Sequence, residues 1–324
     1  MTYKVILDVD TGSDDAIAIM AAALSKDIEL LGITTVNGNR NVDTTTDNTL
    51  RVVSLLGKKI PVYKGCALPL VSTLLKGRRD NIPFKGPEKK EEDVHGDHIP
   101  APETGLKEQP QHAVLWLVET LSNSSEKLTL IFVGPLTNLA MALRISPGIV
   151  GHIKEIIIMG GGYLVNNITS GAEFNFWVDP EAAKIVMDCG APIRLVPLDA
   201  THAAYVTRAE AEEIRQFNTP AASLCADLII RRINGYKNFQ PLSVPDAVPV
   251  HDVLAVCALL NPAVLQDCME VNVDISFSPG ITDGMSLCDV GKRNRNIKPN
   301  AVVAKSADRV LFLKMLKEIY SNKY

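Results

Sequence analysis

The sequence predicts an α/β protein: a single domain on a doubly wound, mainly parallel central sheet with helices on both faces. Two observations predict it. Short β-branched runs without apolar/polar alternation, the mark of strands buried on both faces, take turns along the chain with helical patterns. The polar motifs fall at the carboxyl ends of those runs, where open parallel sheets bind ligands.

The elements follow in order. Val5–Asp8 is the first strand, and a turn at Gly12 leads into an apolar-periodic helix over Asp14–Leu24. Leu30–Val36 is a second β-branched run, closed by the turn pair Asn37-Gly38 and followed by the helix Thr44–Leu56. Pro110–Leu121 is helical and precedes the strand Leu128–Val133. Gly134-Pro135 then opens the helix Leu136–Leu143, with proline at a helix start where its missing N–H costs nothing. Ile156–Met159 is a strand that ends in Gly160-Gly161-Gly162, which lets another group approach the backbone closely. Asp179-Pro180 caps the helix Pro180–Asp188, and Ile193–Val196 is the fifth strand. Helices over Ala221–Asn234 and Asp308–Tyr320 complete the pattern, the last packing against the sheet. Two stretches break the rhythm: 76–108, rich in Lys, Glu, Pro and Gly, and 237–249, with three prolines. Loops of this length in a compact domain are disordered or functional, and both are expected to be mobile covers over a site.

Composition excludes several classes. The 324 residues carry 46% hydrophobic and 22% charged side chains, which is an ordinary globular balance with ample core. A net charge of -4 offers no electrostatic case for nucleic acid or an anionic membrane. Aromatic residues make up only 5%, too few for base-stacking platforms. Met1-Thr2-Tyr3-Lys4 runs directly into the first strand, so no secretory leader is expected, and no apolar run is long enough to span a bilayer. The six cysteines are scattered without a C-x-x-C pair and read as buried thiols in a reducing, cytoplasmic compartment.

The chemistry concentrates in five motifs. Asp8, Asp10, Asp14 and Asp15 lie within eight residues at the first strand tip and the helix start behind it. Carboxylates packed this densely repel one another, and a hard cation such as Ca2+ or Mg2+ offsets that repulsion. A helix N-terminus also favours acids, but that accounts for one or two of the four and leaves Asp8 and Asp10 unexplained. Gly38-Asn39 ends the second strand, and Gly134-Pro135-Leu136-Thr137-Asn138-Leu139-Ala140 opens a helix; each alone is an ordinary turn or cap. In Glu173-Phe174-Asn175-Phe176, alternation puts Glu173 and Asn175 on one side of an extended segment flanked by aromatics, which suits a sugar ring. His251-Asp252 opens an apolar helix, where a proton donor sits beside a metal-ligand type.

Taken together the motifs resemble the inosine-uridine-preferring nucleoside hydrolase family. They are Asp8-Val9-Asp10-Thr11-Gly12-Ser13-Asp14-Asp15, Gly38-Asn39, the G-P-L-T-N-L-A segment, the N-x5-E-F-N-x-W-x-D-P-E-A-A segment from Asn167, and His251-Asp252. They occur in the family's order, from the first strand to about residue 260. The resemblance implies hydrolysis of the N-glycosidic bond of ribonucleosides to base and ribose, with one Ca2+ on a doubly wound fold. By matching position it assigns Ca2+ to the carboxylates of Asp10, Asp15 and Asp252 and the carbonyl of Thr137. The water on the metal would be the nucleophile and Asp10 its general base. Asp14, Asn39, Asn167, Glu173 and Asn175 would hold ribose, and His251 would protonate the leaving base. His95 matches the loop histidine of some members, and Tyr236 or Phe239 the aromatic contact to the base. A homodimer or homotetramer in nucleoside salvage is implied as well. Neither Trp116 nor Trp177 falls in a covering loop, which points away from the purine-specific branch and towards a broad or pyrimidine-tolerant range. The start Asp8-Val9-Asp10-Thr11 also resembles the motif of haloacid-dehalogenase phosphatases, which implies Asp8 as covalent nucleophile and Mg2+ as cofactor. A non-catalytic nucleoside- or sugar-binding protein on the same fold is a further alternative, but binding alone needs neither a base nor an acid.

Overall fold

The computed structural model describes residues 2–79, 95, 98–240, 242–293 and 297–321, with the backbone alone for 237–239. Six strands build the centre: β1 (Tyr3–Val9), β2 (Ile28–Thr35), β3 (Val62–Lys64), β4 (Leu128–Phe132), β5 (Ile153–Met159) and β6 (Ile193–Val196). Shorter strands follow: β7 (Tyr205–Thr207), β8 (Ala247–Pro249), β9 (Leu265–Gln266), β10 (Met269–Val271), β11 (Val273–Ile275), β12 (Ser286–Cys288), β13 (Ala301–Val303) and β14 (Ser306–Ala307). The first five helices are α1 (Ser13–Leu24), α2 (Val42–Leu56), α3 (Ala113–Asn123), α4 (Thr137–Ile145) and α5 (Phe174–Val178). Then come α6 (Pro180–Met187), α7 (Leu198–Ala203), α8 (Arg208–Arg215), α9 (Pro220–Phe239), α10 (His251–Leu260) and α11 (Arg309–Tyr320).

The main sheet runs β10-β13-β6-β5-β4-β1-β2-β3. From β13 to β3 every pairing is parallel, and β10 alone is antiparallel, at the edge. The chain leaves β1 towards β2 and β3, then returns to the other side of β1 as β4 and continues outward to β5 and β6. That reversal opens a crevice beyond the carboxyl ends of β1 and β4. Asp10 and Gly134 follow those two ends.

Strand β1 shows why the pattern lacks alternation. Val5, Leu7 and Val9 join Ile17 and Met20 of α1, Leu254 of α10 and Phe312 of α11 in one core layer. Ile6, pointing the other way, joins Leu117 of α3, Leu139 of α4 and Val186 of α6 in the other. Both faces are covered, so both sets of side chains must be apolar. The expected doubly wound fold is the observed one, and each expected central strand and helix is present within a few residues of its expected ends.

Some expectations are corrected. Residues 237–249 are not one loop: α9 runs on to Phe239, and β8 pairs antiparallel with β7. Pro249 is tolerated there because a two-stranded ribbon leaves its missing N–H unneeded. Within 76–108, residues 80–94, 96 and 97 lie outside the described residues, and with them the Gly96-Asp97 centre of the histidine motif. Both tryptophans serve packing: Trp116 stacks on Tyr63 with ring centroids 4.1 Å apart, and Arg79 lies 3.7 Å over the Trp177 ring. The six cysteines are unpaired, but only Cys225 and Cys257 are buried and Cys268 is exposed. Among the described residues no helix is long and apolar enough to cross a membrane.

Candidate active site

Asp8 is the knot that holds the strand tips. Its Oδ2 accepts from Thr34 Oγ1 of β2 at 2.5 Å and from Asn138 Nδ2 of α4 at 2.8 Å. Asn138 also donates to Thr35 O and accepts from Cys66 N, which ties the segment after β3 into the same point. Burial pushes the Asp8 carboxyl up to about 7, and its Oδ1 has no partner among the described residues. Asp8 Oδ2 is committed to Thr34 and Asn138, so this carboxylate ties the strand tips together instead of serving as the covalent nucleophile of the phosphatase reading.

Asp10, two residues on, reaches the crevice. Its Oδ2 accepts from Asn39 N at 2.7 Å. Two glycines make room for the carboxylate: a Cβ at position 38 would lie 2.1 Å from Asp10 Oδ2, and one at position 134 would lie 2.8 Å from Oδ1. Gly38→Ala must therefore displace the Asp10 carboxylate. A misplacement of about 1 Å costs about 10^2-fold in rate, so Gly38→Ala is expected to lose that much kcat while circular dichroism stays native.

Asp15 braces the same turn. Its Oδ2 accepts from Gly12 N at 2.9 Å and its Oδ1 from Asp10 N at 3.1 Å, so it caps α1 while facing the crevice. The capping role weighed against the metal reading is real for this residue. Asn39 completes the brace, donating from Nδ2 to Asp15 Oδ2 at 3.2 Å and to Asp10 O at 3.3 Å.

Asp14, Asp15 and Asp252 form a buried trio whose carboxylate oxygens lie within 4.8 Å of one another. The family resemblance assigns Asp10 together with Asp15 and Asp252; in this trio Asp14 stands beside those two, and Asp10 borders it, its N–H donating to Asp15 Oδ1 at 3.1 Å. Burial first, then repulsion from Asp14, Asp15 and Asp10, pushes Asp252 well above the usual carboxylate range. Burial and Asp15 do the same to Asp10, and burial and Asp14 raise Asp15 to about 6. For Asp14 the cost of burial is outweighed by Arg232, with His95 and His251 adding to it, so its carboxyl is held low. Four inward carboxylates facing one guanidinium leave a strong excess of negative charge. All the donors are oxygens, which fits a hard divalent cation.

His251 sits at the first turn of α10 and is buried. Its Nδ1 meets Thr201 Oγ1 at 2.7 Å and its Nε2 meets Tyr236 Oη at 3.4 Å. Tyr236 also reaches His202 Nε2 at 3.4 Å and donates to Gln240 Oε1 at 3.1 Å. Burial and then the charge of Arg232 hold His251 well below the usual imidazole range, so it is neutral near pH 7.

The Glu173–Phe176 segment is not extended. Glu173 is the N-cap of α5, its carboxylate accepting from Asn175 N at 2.9 Å, Phe176 N at 3.2 Å and Gly161 N at 2.8 Å. Helix formation wins because one buried carboxylate satisfies several orphan N–H groups at once. Burial still raises that carboxyl to about 7. Asn175 donates from Nδ2 to Val133 O and Met159 O, which leaves its amide oxygen without a described donor. Asn167 accepts Phe174 N at 2.9 Å. The triple glycine admits the Phe176 ring, 2.7 Å from a Cβ at position 160 and 2.9 Å from one at 161. The group that approaches this backbone is therefore the protein's own.

Thr137 opens α4, with its hydroxyl donating to Asp179 Oδ2 at 2.7 Å. His95 Nδ1 accepts from Ser13 N at 3.2 Å and lies 4.0 Å from Asp14 Oδ1. Of the two aromatics expected at the base, Tyr236 is beside His251, and the side chain of Phe239 lies outside the described residues.

A family model, inosine-uridine preferring nucleoside hydrolase, matches residues 5–314. The chain belongs to the nucleoside hydrolase family. A pyrimidine-specific ribonucleoside hydrolase, RihB of Escherichia coli K12, is 36% identical over 296 residues, spanning 88% of this chain and 87% of that protein. Among solved structures, a plant nucleoside hydrolase, PpNRh1, aligns with a TM-score of 0.86 at 28% identity over 99% of both chains. A purine-preferring ribonucleoside hydrolase from Gardnerella vaginalis aligns at 0.85 with 29% identity over 98% of both. The protein is thus a ribonucleoside-hydrolase-type enzyme, and the phosphatase and non-catalytic readings fall away.

Sequence reading missed several residues at the heart of this nucleoside hydrolase: Arg232, Thr201, His202 and Asn138 as the partner of Asp8. Arg232 had a signal. It interrupts an apolar helical run four residues before Tyr236, the spacing that puts two side chains on one helix face. Thr201 and His202 had none, because α7 comes to α10 only through the fold.

Proposed function

We propose that this nucleoside hydrolase cleaves ribonucleosides to free base and ribose with one bound Ca2+, and that it accepts pyrimidine nucleosides readily. The observation that carries the reading is the buried trio Asp14, Asp15 and Asp252 beside Asp10, at the sheet's switch point. Asp15 and Asp252 would hold the ion, together with Asp10 or Asp14 and the backbone carbonyl of Thr137. When bound, the ion supplies a Lewis acid for water and a template for ribose hydroxyls.

The remaining roles belong to the chain. Asp10 takes the proton from the attacking water; its Oδ2 is oriented by Asn39 N, so the carboxylate is fixed before substrate arrives. The C1′–N bond breaks as oxygen arrives, and positive charge grows on the ribose in an oxocarbenium-like state. The surrounding carboxylates and amide oxygens stabilise that charge. Asp14, Asn39, Asn167, Glu173 and Asn175 hold ribose, with Asn175 presenting the amide oxygen its own bonds leave open. The electron pair moves to the base, which receives a proton from His251, with Thr201 and Tyr236 on its two ring nitrogens. His95, seated on Ser13, and Tyr236 contact the outer side of the substrate, and Phe239 is the second aromatic proposed at the base.

The similarity to a pyrimidine-specific hydrolase and the absence of a stacking tryptophan support pyrimidine tolerance. A homodimer or homotetramer acting in cytoplasmic nucleoside salvage completes the proposal. The test is release of reducing sugar from uridine, cytidine, inosine and guanosine, before and after treatment with EGTA. Uridine and cytidine are expected to turn over at least as fast as inosine. EGTA is expected to lower the rate by about 10^2-fold or more, and CaCl2 to restore it. Full turnover by protein shown by elemental analysis to be metal-free would overturn the proposal.

A further inference from the structure

Arg232 is an unusual residue for this site. It is 2% exposed, sits on α9 and reaches across to the start of α1. Its Nη1 donates to Asp14 Oδ1 at 2.8 Å and to Ser13 Oγ at 2.9 Å. Its Nη2 reaches Pro249 O at 3.4 Å, and its Nε is buried with no partner among the described residues. A guanidinium facing a carboxylate commonly donates two parallel bonds. Here Asp14 is held by one oxygen only, and no described side chain donates to the other. The same carboxylate also belongs to the trio with Asp15 and Asp252.

We propose that Arg232 is a positioning residue that divides Asp14 between cation and sugar. By holding Oδ1, it keeps Asp14 from closing on the cation with both oxygens and leaves one oxygen for a ribose hydroxyl. It also lowers the affinity of the trio for the ion by adding a positive charge beside it. The inference rests on the cation reading above and deepens it. Its sign is distinctive. An arginine that merely filled space would, when replaced, weaken the free and the cation-loaded protein alike. An arginine that competes with the cation for Asp14 leaves, when replaced, an uncompensated carboxylate that the ion then neutralises.

The experiment titrates CaCl2 by calorimetry into chelator-treated wild type, Arg232→Met and Arg232→Lys, and records Tm of each with and without CaCl2. Arg232→Met is expected to bind Ca2+ about tenfold more tightly, with a lower Tm when free and a larger Ca2+-induced rise in Tm than wild type. Its KM for uridine is expected to rise about tenfold, with kcat within about threefold, since Asp14 is lost to the sugar but Asp10 is untouched. Arg232→Lys keeps the charge and returns these values towards wild type; Arg232→Gln, which is polar but uncharged, is expected to show the same shifts as Arg232→Met and carries the test if Arg232→Met does not fold. Equal losses of Tm with and without CaCl2, at unchanged Ca2+ affinity and KM, overturn the inference alone. A wild type that takes up no Ca2+ overturns the cation reading and the inference together.

Discussion

Asp10→Asn is expected to lower kcat on uridine by about 10^3-fold, within the range a positioned general base contributes, and to leave the fold intact. The side chain stays isosteric, and its amide oxygen can still accept from Asn39 N, the bond now made by Oδ2. The variant loses the capacity to take a proton from water. Stability should not suffer. Burial and then Asp15 push the Asp10 carboxyl well above its usual range, so a neutral amide relieves a repulsion that the native protein carries. The checks are kcat by reducing-sugar release, Tm by differential scanning calorimetry, and CaCl2 uptake by calorimetry. Because Asp14, Asp15 and Asp252 remain, uptake should persist. A variant with wild-type kcat would end the base assignment. Joint loss of kcat and Ca2+ uptake would make Asp10 chiefly a ligand.

His251→Ala is expected to separate substrates by their leaving groups. On inosine or uridine the departing base needs a proton as electrons collect on it, and losing the donor should cost about 10^2-fold in kcat. On p-nitrophenyl riboside the leaving group departs as a stable anion, and the loss should stay within about threefold. The geometry behind this is the pair of hydroxyls on the imidazole, Thr201 at 2.7 Å and Tyr236 at 3.4 Å. Burial and then Arg232 disfavour the imidazolium, so His251 delivers a proton only through its protonated minority, which returns to neutral imidazole as the base leaves. Equal losses on both substrates would remove His251 from proton delivery and leave it a packing residue.

Much of this site could be read before any fold was known, for a physical reason. The aspartates lie on one strand tip and one helix turn, so chain connectivity alone holds Asp10, Asp14 and Asp15 together. Asp179 caps its helix through Ala182 N, as Asp-Pro at a helix start requires. Where expectation failed, a tertiary partner had outbid local pattern. Glu173 and Asn175 alternate with phenylalanines as in a strand, yet Gly161 N and the helix's own N–H groups draw Glu173 into a cap. Residues around 237–249 carry the proline content of a loop, yet α9 continues into them and β8 finds β7.

By itself the sequence determined the class of fold, because strands covered on both faces must be apolar throughout, and it determined that several carboxylates crowd one end of the sheet. Only the tertiary structure decided which of them meet. Asp252 arrives from more than two hundred residues away on α10, Arg232 from α9 takes one oxygen of Asp14, and Thr201 on α7 fixes the ring of His251. Those encounters depend on how helices cross above the crevice, and helix crossing is set by packing of side chains distant along the chain, which no local spacing records.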